Sequence, residues 1–572
     1  MALSVAPSLA SLYGLSAVSG ISFHHLYARR VEIDFIVWHL LGVGVAIYCA
    51  LCAWFTVIWG FTLGTALKEL SICLLVFALS LTSSILIYRG FFHRLRNFPG
   101  PYGARFSSLW LLRKSSGDFK THRNLERIHN EYGDIVRIGP RLLSIKRPDA
   151  LPELMALGKG VWWAHAGSDS KKISFSLSRV PEDHKQRRRP WELAFSTPVM
   201  ERFDAGIQEL IGIYIEKTKQ QGTIDVPDML GKLSFDVMGL VGYGHSFGNT
   251  SSGVAHPGLV AMRKAHYAFG TLRWTAWLMQ MLESLPGGGS DFVPFLNLCA
   301  GVVRERQKQH KSQKLSGEQD NNKRKDVMAH LLEAMDEGGP SAPPTEEALA
   351  GESRVMIAAG ADTTQSALAN VVWFMAADQK TLKHLQKLLD DIFPGGDDTF
   401  SYAKLIGNSE ALAWTDAILN ETLRVRPPGI SGNPRTVGPE GMIIPASEYG
   451  PEICIPGGVD VLSPTWVIHR DEKSFERPTE FLPERWIEGS QIRCNKSAHF
   501  PFSIGKHVCV GKPLALREVR SVIARTALNF DIEFPPNEDW QAYEETIMDA
   551  FTMTLPPFKL IFKERTVKNN RD

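Results

Sequence analysis

The chain has 572 residues, with 63 Lys and Arg against 61 Asp and Glu and a formal net charge of +2. That balance gives no global field for nucleic acid or for an acidic polymer. A chain of this length can bury a large core, and 14 Trp with 30 Phe suit a large apolar interior and an apolar pocket. Seven scattered cysteines, an odd number, give no disulfide framework and fit a body facing a reducing compartment.

The first hundred residues read as a membrane anchor. Residues 35–63 and 70–88 are uncharged and apolar, and each meets the roughly 20 residues a spanning helix needs. The short connector 64–69 predicts a hairpin, and residues 3–23, uncharged but rich in Ser, Gly and Ala, form a third, less apolar candidate. No charged segment precedes a short apolar stretch, so a cleaved leader is not expected. Arg29 and Arg30 precede the hairpin and His93, Arg94 and Arg96 follow it, whereas the connector holds only Lys68, offset by Glu69. Positive-inside bias then places everything after residue 96 in the cytosol. Phe-Pro-Gly-Pro at 98–101 predicts a stiff break, or hinge, between an anchor at 1–97 and a body at 98–572.

In the body, residues 135–138 and 142–145 flank Gly-Pro-Arg and predict a short β-hairpin. Residues 183–390 are mainly helical in pattern, with exposed connections at 311–324 and 337–344. Thr345 predicts an N-cap, with Glu346 and Glu347 in the first turn where the dipole favours acids. No proline follows before about residue 379, so a helix of more than 30 residues is expected. A second helix over 409–425 stops at Pro427-Pro428, and 433–465 has the Pro, Gly and β-formers of small sheets.

The strongest element is F-S-I-G-K-H-V-C-V-G at 502–511. Gly505 and Gly511 permit tight turns and close approach of the backbone to a flat ligand. Lys512-Pro513 opens an apolar helix, so Cys509 lies just before a helix N-terminus, where free N–H groups favour a thiolate. This pattern resembles the cysteine loop of the cytochromes P-450, and further family elements recur in order after residue 98. The resemblance implies a mainly α fold with small β-sheets, a long helix over haem b and the cysteine loop beneath it. Cys509 would be the iron ligand, with Phe502, Gly505, His507 and Gly511 around the cofactor.

A-G-A-D-T-T at 359–364 lies mid-helix; by resemblance Asp362 and Thr363 bind O2 and deliver protons to it. A mid-helix threonine can also bond back to a carbonyl and loosen the ladder locally. Glu421 and Arg424 lie one turn apart, and the resemblance joins them to Arg485 of P-E-R-W in a buried network that fixes the haem loop. His184 and Arg188 in D-H-K-Q-R-R-R-P-W match the propionate-binding aromatic-x-x-x-Arg arrangement, with histidine departing from the aromatic and Pro190 expected to kink the helix. Arg435 in N-P-R-T matches the arginine of the other propionate.

H-R-D at 469–471 reads as a turn, Cys454 and Cys494 as structural, and the sequons at Asn249, Asn420 and Asn495 as chance. The resemblance implies a monooxygenase inserting one oxygen atom of O2 into an apolar small molecule. No flavin or nicotinamide motif follows the loop, so electrons would come from NADPH through a separate flavoprotein reductase. It would dock on a basic face carrying Lys506, Lys512 and some of Arg187, Arg188 and Arg189. The pocket is expected from parts of 160–180, 254–292, 358–363 and 429–433 and from near Phe551, with Trp162, Trp163, Ile430 and Phe551 pointing to a bulky ligand. The anchor and Y-G-D-I-V-R-I-G-P at 132–140 look like endoplasmic-reticulum fungal members of specialised metabolism acting on terpenoids or prenylated aromatics. Two rivals are a haem-thiolate isomerase or dehydratase that uses no O2, and a non-catalytic haem sensor or electron carrier.

Overall fold

The computed structural model describes residues 8–164, 169, 171–316, 325–536 and 539–565. Three helices come first: Leu9–Phe23, Val37–Val57 and Leu63–Ile87, the last continuing to Phe92. The second and third are long and apolar enough to cross a membrane, and large side chains such as Ile47, Trp54, Leu75 and Phe91 point outward from them. Their connection lies at 58–62 rather than the expected 64–69. Gly60 takes φ +68°, and Thr62 Oγ1 caps the next helix by accepting from Thr65 N at 3.2 Å. Lys68 and Glu69 are therefore helical, and Tyr13 OH donates to Glu69 Oε2 at 2.5 Å. A local cap and a left-handed glycine decided the turn over the two charged residues.

The 98–101 segment is pinned to the body and does not act as a free hinge. Arg137 N donates to Pro99 O at 2.7 Å, and a Cβ on Gly100 would collide with the Arg137 carbonyl. Upstream, Arg89 Nη1 donates to Phe106 O at 2.6 Å, Arg94 to Gly457 O, and the Arg137 guanidinium to Arg89 O at 3.3 Å.

The body is helical around Glu346–Ala377, which is 32 residues and about 48 Å long. Thr345 caps it, accepting from Ala348 N at 3.1 Å. Past its exposed first turn it is buried along most of its length, packed by helices Val226–Tyr243, Val293–Ser316, Ser409–Val425 and Lys512–Asn529. A Cβ on Gly360 would run into Met238, so that glycine lets Val226–Tyr243 cross closely.

Among the described residues there are four small sheets. The largest orders its strands Ile135–Arg137, Leu142–Ile145, Asp460–Leu462, Arg435–Thr436 and Gly158–Lys159. The predicted hairpin is its edge, in register Ile135↔Ile145, and Leu142–Ile145 runs parallel to Asp460–Leu462. Lys159 pairs with Arg435 at the other edge, bringing two basic residues side by side. Of the connection expected at 311–324, residues 311–316 continue the helix Val293–Ser316 and the rest lie outside the described residues.

One carboxylate ties the helix Ser409–Val425 to residues 482–486. Glu421 is fully buried and accepts from Arg424 Nε and Nη2 at 2.8 Å each, Arg485 Nε at 3.0 Å, Trp486 Nε1 at 2.9 Å and Leu482 N at 2.9 Å. Arg424 spends its remaining donors on His469 O, Pro478 O and Glu480 O. H-R-D is more than a turn: His469 Nε2 accepts from Phe500 N at 3.2 Å, where the loop begins. Glu421→Gln leaves two buried guanidinium groups short of charge, so a loss of about 3–5 kcal/mol is expected in urea unfolding.

Candidate active site

Between the long helix and the cysteine loop lies a cavity of about 450 Å3. Ala359, Gly360, Thr363 and Thr364 form one wall, and Phe502, His507, Cys509 and Gly511 line the opposite one. Cys509 is exposed and lines the cavity. The loop holds it there: Cys509 N donates to Phe502 O at 2.8 Å, Ser503 N to Phe500 O at 2.9 Å, and Gly505 takes φ +66°. Gly511 has φ −79° and needs no left-handed turn; a Cβ there would sit 3.9 Å from Cys509 Sγ. Helix Lys512–Asn529 starts directly after, as expected, and the Gly511 and Lys512 amides face the sulfur. Burial raises the thiol above its ordinary value while those amides and Arg188 pull it down.

One end of the cavity is basic. Lys159, His184, Arg188, Arg435 and His507 line it, and no Asp or Glu does so among the described residues. His184 and His507 lie 5.0 Å apart, ring to ring. Burial first, then the neighbouring cations, depress His184 to about 3 and His507 to about 2. Burial lowers Arg435 to about 10, and its Nε and Nη1 find no hydrogen-bond partner, nor do the two ring nitrogens of His507. Buried donors left without acceptors are costly, so this end is built for an anion that brings acceptors with it. A flat group carrying two carboxylates, with a metal above Cys509, fits this donor set.

Pro190 breaks the predicted helix into Pro181–Arg187 and Arg189–Ala194, yet His184 and Arg188 still reach the cavity together. Arg188 also pairs with Glu192 at 2.7 Å. Arg187 turns inward to Glu352 at 2.6 Å and is buried, so it leaves the expected basic docking face; Arg189, Lys506 and Lys512 stay exposed. Lys159 was missed, because nothing in Gly-Lys-Gly marks a buried cation. Its Nζ donates to Ser176 O at 2.6 Å, and burial lowers it to about 7.

Thr363 Oγ1 bonds back to Ala359 O at 2.7 Å, as predicted, without breaking the helix. Asp362 does not line the cavity. Its carboxylate meets His266 Nδ1 at 3.3 Å and accepts from Thr552 Oγ1. Burial pushes the Asp362 carboxyl up, but His266 and Thr552 outweigh it and hold it below its ordinary value. The cavity also departs from expectation in its walls. Trp163, Gly429, Gly432, Asn433 and Phe551 line it, but residues 254–292 do not. Ile430 is wholly buried, and Trp162 stands behind Phe551, stacked at 5.4 Å. Residues 165–168 and 170 of the expected 160–180 wall lie outside the described residues.

Residues 99–562 match the family model for cytochrome P450. The chain belongs to the cytochrome P450 family. The P450 is 29% identical to the cytochrome P450 monooxygenase nodW of Hypoxylon pulicicidum, over 97% of this chain and 98% of that one. It is 30% identical to the cytochrome P450 monooxygenase FCK2 of Fusarium pseudograminearum, over 97% and 98%. With the tryprostatin B 6-hydroxylase of Aspergillus fumigatus the identity is 28%, over 95% and 93%. Its fold matches the crystal structure of the cytochrome P450DA heme domain at TM-score 0.64 and 19% identity, over 82% of this chain and 97% of that one. The protein is thus a P450 monooxygenase, of a family that binds haem b through a cysteine thiolate and uses O2, a redox partner and a small substrate.

In the haem-free P450, Lys159 carries a pH-dependent cost of burial. Its folded value of about 7 lies below the unfolded value of about 10.4, so the cost is absent above the unfolded value, grows as pH falls and is complete below about 7. Lys159→Met is therefore expected to stabilise the haem-free protein at about pH 6 and to leave it unchanged near pH 11, as read by urea unfolding.

Proposed function

We propose that this P450 is a membrane-anchored enzyme that hydroxylates a bulky, partly aromatic small molecule in fungal secondary metabolism. The observation that carries the reading is the pairing of Cys509 and Thr363 on opposite walls of one apolar cavity with a basic end. Haem supplies the oxidising chemistry when bound. Cys509 would ligate its iron, Phe502, Gly505 and Gly511 would shape the loop around it, and His184, Arg188, His507 and Arg435, joined by Lys159, would hold its propionates. Bidentate guanidinium geometry suits that task. Thr363 Oγ1 presents a hydroxyl at the far wall for proton delivery, while Asp362, expected to share that task, is paired with His266 and Thr552 away from the cavity.

The outward-facing apolar side chains of Val37–Val57 and Leu63–Phe92 support an anchor at 1–97, since exposed apolar surface on that scale needs a lipid partner. Arg29, Arg30, Arg94 and Arg96 at the same ends of the two helices support a multi-pass chain in the endoplasmic reticulum with its body, 98–572, in the cytosol. Electrons come from NADPH through a separate flavoprotein reductase that docks on Arg189, Lys506 and Lys512. Trp163 and Phe551 in the wall support an aromatic or prenylated substrate, in keeping with the hydroxylation that the Aspergillus fumigatus relative's name describes.

Reduced and exposed to CO, the haem-loaded protein is expected to show the red-shifted Soret band of thiolate ligation, and Cys509→Ser to lose it. A wild-type protein that binds haem without that band overturns the assignment of Cys509. Thr363→Ala is expected to keep the band while at least about tenfold more NADPH goes to peroxide or water per product formed. Unchanged coupling removes Thr363 from proton delivery. A substrate turned over at full rate without O2 points to the isomerase reading.

A further inference from the structure

The segment between the first two N-terminal helices touches the body at a site no motif predicts. Glu32 and Arg179, 147 positions apart, form a two-pronged ion pair: Nη1 to Oε2 at 2.7 Å and Nη2 to Oε1 at 2.9 Å. The remaining Arg179 donor, Nε, bonds to Lys159 O at 3.3 Å. Around the pair, the Arg179 guanidinium lies 5.7 Å over the Phe35 ring, and Ile33–Phe35 packs against helix Ala276–Glu283. The Trp277 amide faces the Asp34 carboxylate.

Exposed ion pairs contribute little as a rule, because two long side chains must be ordered in a solvent that screens them. This one differs in geometry. Both partners are half-buried, the contact is bidentate, and the guanidinium is already oriented by its third bond. What Arg179 holds is equally specific. Lys159 pairs as a strand with Arg435, and its Nζ lines the basic end of the cavity. Gly160 N and Trp163 Nε1, just beyond, both donate to Pro434 O, at 3.3 and 3.0 Å. The strand is two residues long, so it has little hydrogen bonding of its own to fix it.

We infer that Glu32 and Arg179 are positioning residues: the 29–36 segment reaches over to the body and fixes the wall that carries Lys159 and Trp163. The N-terminal region is then a part of the cavity's support as well as an anchor, whatever substrate the cavity takes.

The test is amide hydrogen exchange on the full-length, haem-loaded protein in lipid nanodiscs, followed in peptides covering 31–36 and 158–163. Glu32→Gln and Arg179→Gln are each expected to speed exchange about tenfold in both segments, with no further gain in the double variant. The reversed pair, Glu32→Arg with Arg179→Glu, is expected to return 31–36 to within about twofold of wild type while 158–163 stays fast, because a glutamate cannot donate to Lys159 O. The CO-bound spectrum of each variant verifies an intact haem site. If a variant fails to load haem, Glu32→Asp, which keeps the charge and shortens the reach, and Arg179→Lys, which keeps the charge and loses the fork, are read instead with the same expectation at smaller size. Three results overturn the inference: wild-type 31–36 exchanging like free peptide, 158–163 unmoved when 31–36 is released, or no recovery of 31–36 in the reversed pair.

Discussion

Glu421 is the constraint on which the rest of this structure turns. One carboxylate, wholly out of water, accepts five hydrogen bonds from Arg424, Arg485, Trp486 and the Leu482 amide. Those donors come from a helix and from a loop some sixty residues later, so the bonds fix where that loop can lie. Arg424 extends the restraint to His469, whose ring receives the Phe500 amide at the start of the cysteine loop. Through that sequence of contacts a buried charge is linked to the start of the loop that carries Cys509. A buried ion pair is weak evidence for net stability, but it strongly disfavours any arrangement that separates its members.

The cavity shows how electrostatics divides labour in a nearly neutral chain. Charge is local: five basic side chains at one end, no carboxylate in the wall among the described residues, and Asp362 turned away into a pair with His266. The apolar remainder, with Trp163 and Phe551, is left for a substrate that brings little polarity. Lys159, His184 and His507 are all depressed by burial among like charges, a setting that favours an anion beside them.

What the sequence made legible was chemistry confined to a few neighbouring residues. The Thr345 cap, the Pro190 break, the stop at Pro427 and the helix start after Cys509 all follow from backbone rules that act over one turn. The family pattern added the partners of Glu421 and the two walls of the cavity. Features set by distant packing stayed hidden. Lys159 is a cavity residue only because its strand pairs with Arg435, and Asp362 meets His266 and Thr552 from 96 and 190 positions away. Lys68 and Glu69 looked like a turn because they are charged, yet a glycine and a threonine six to eight residues earlier close the hairpin. Arg187 read as a surface cation until Glu352 was seen to bury it.

The pinned 98–101 segment bears on how a soluble form of this enzyme can be cut. A truncation just before Phe98, where the prolines invite it, would remove the Arg89 carbonyl that Arg137 grips and the Arg94 side chain that reaches Gly457. Arg137 is fully buried, and the cut would leave its Nη1 without an acceptor, with only the Gly139, Arg105 and Pro140 carbonyls still holding the rest of the guanidinium. The safer incision lies upstream of Tyr88, keeping residues 88–97 as part of the folded body even though they continue the helix of the preceding hydrophobic stretch.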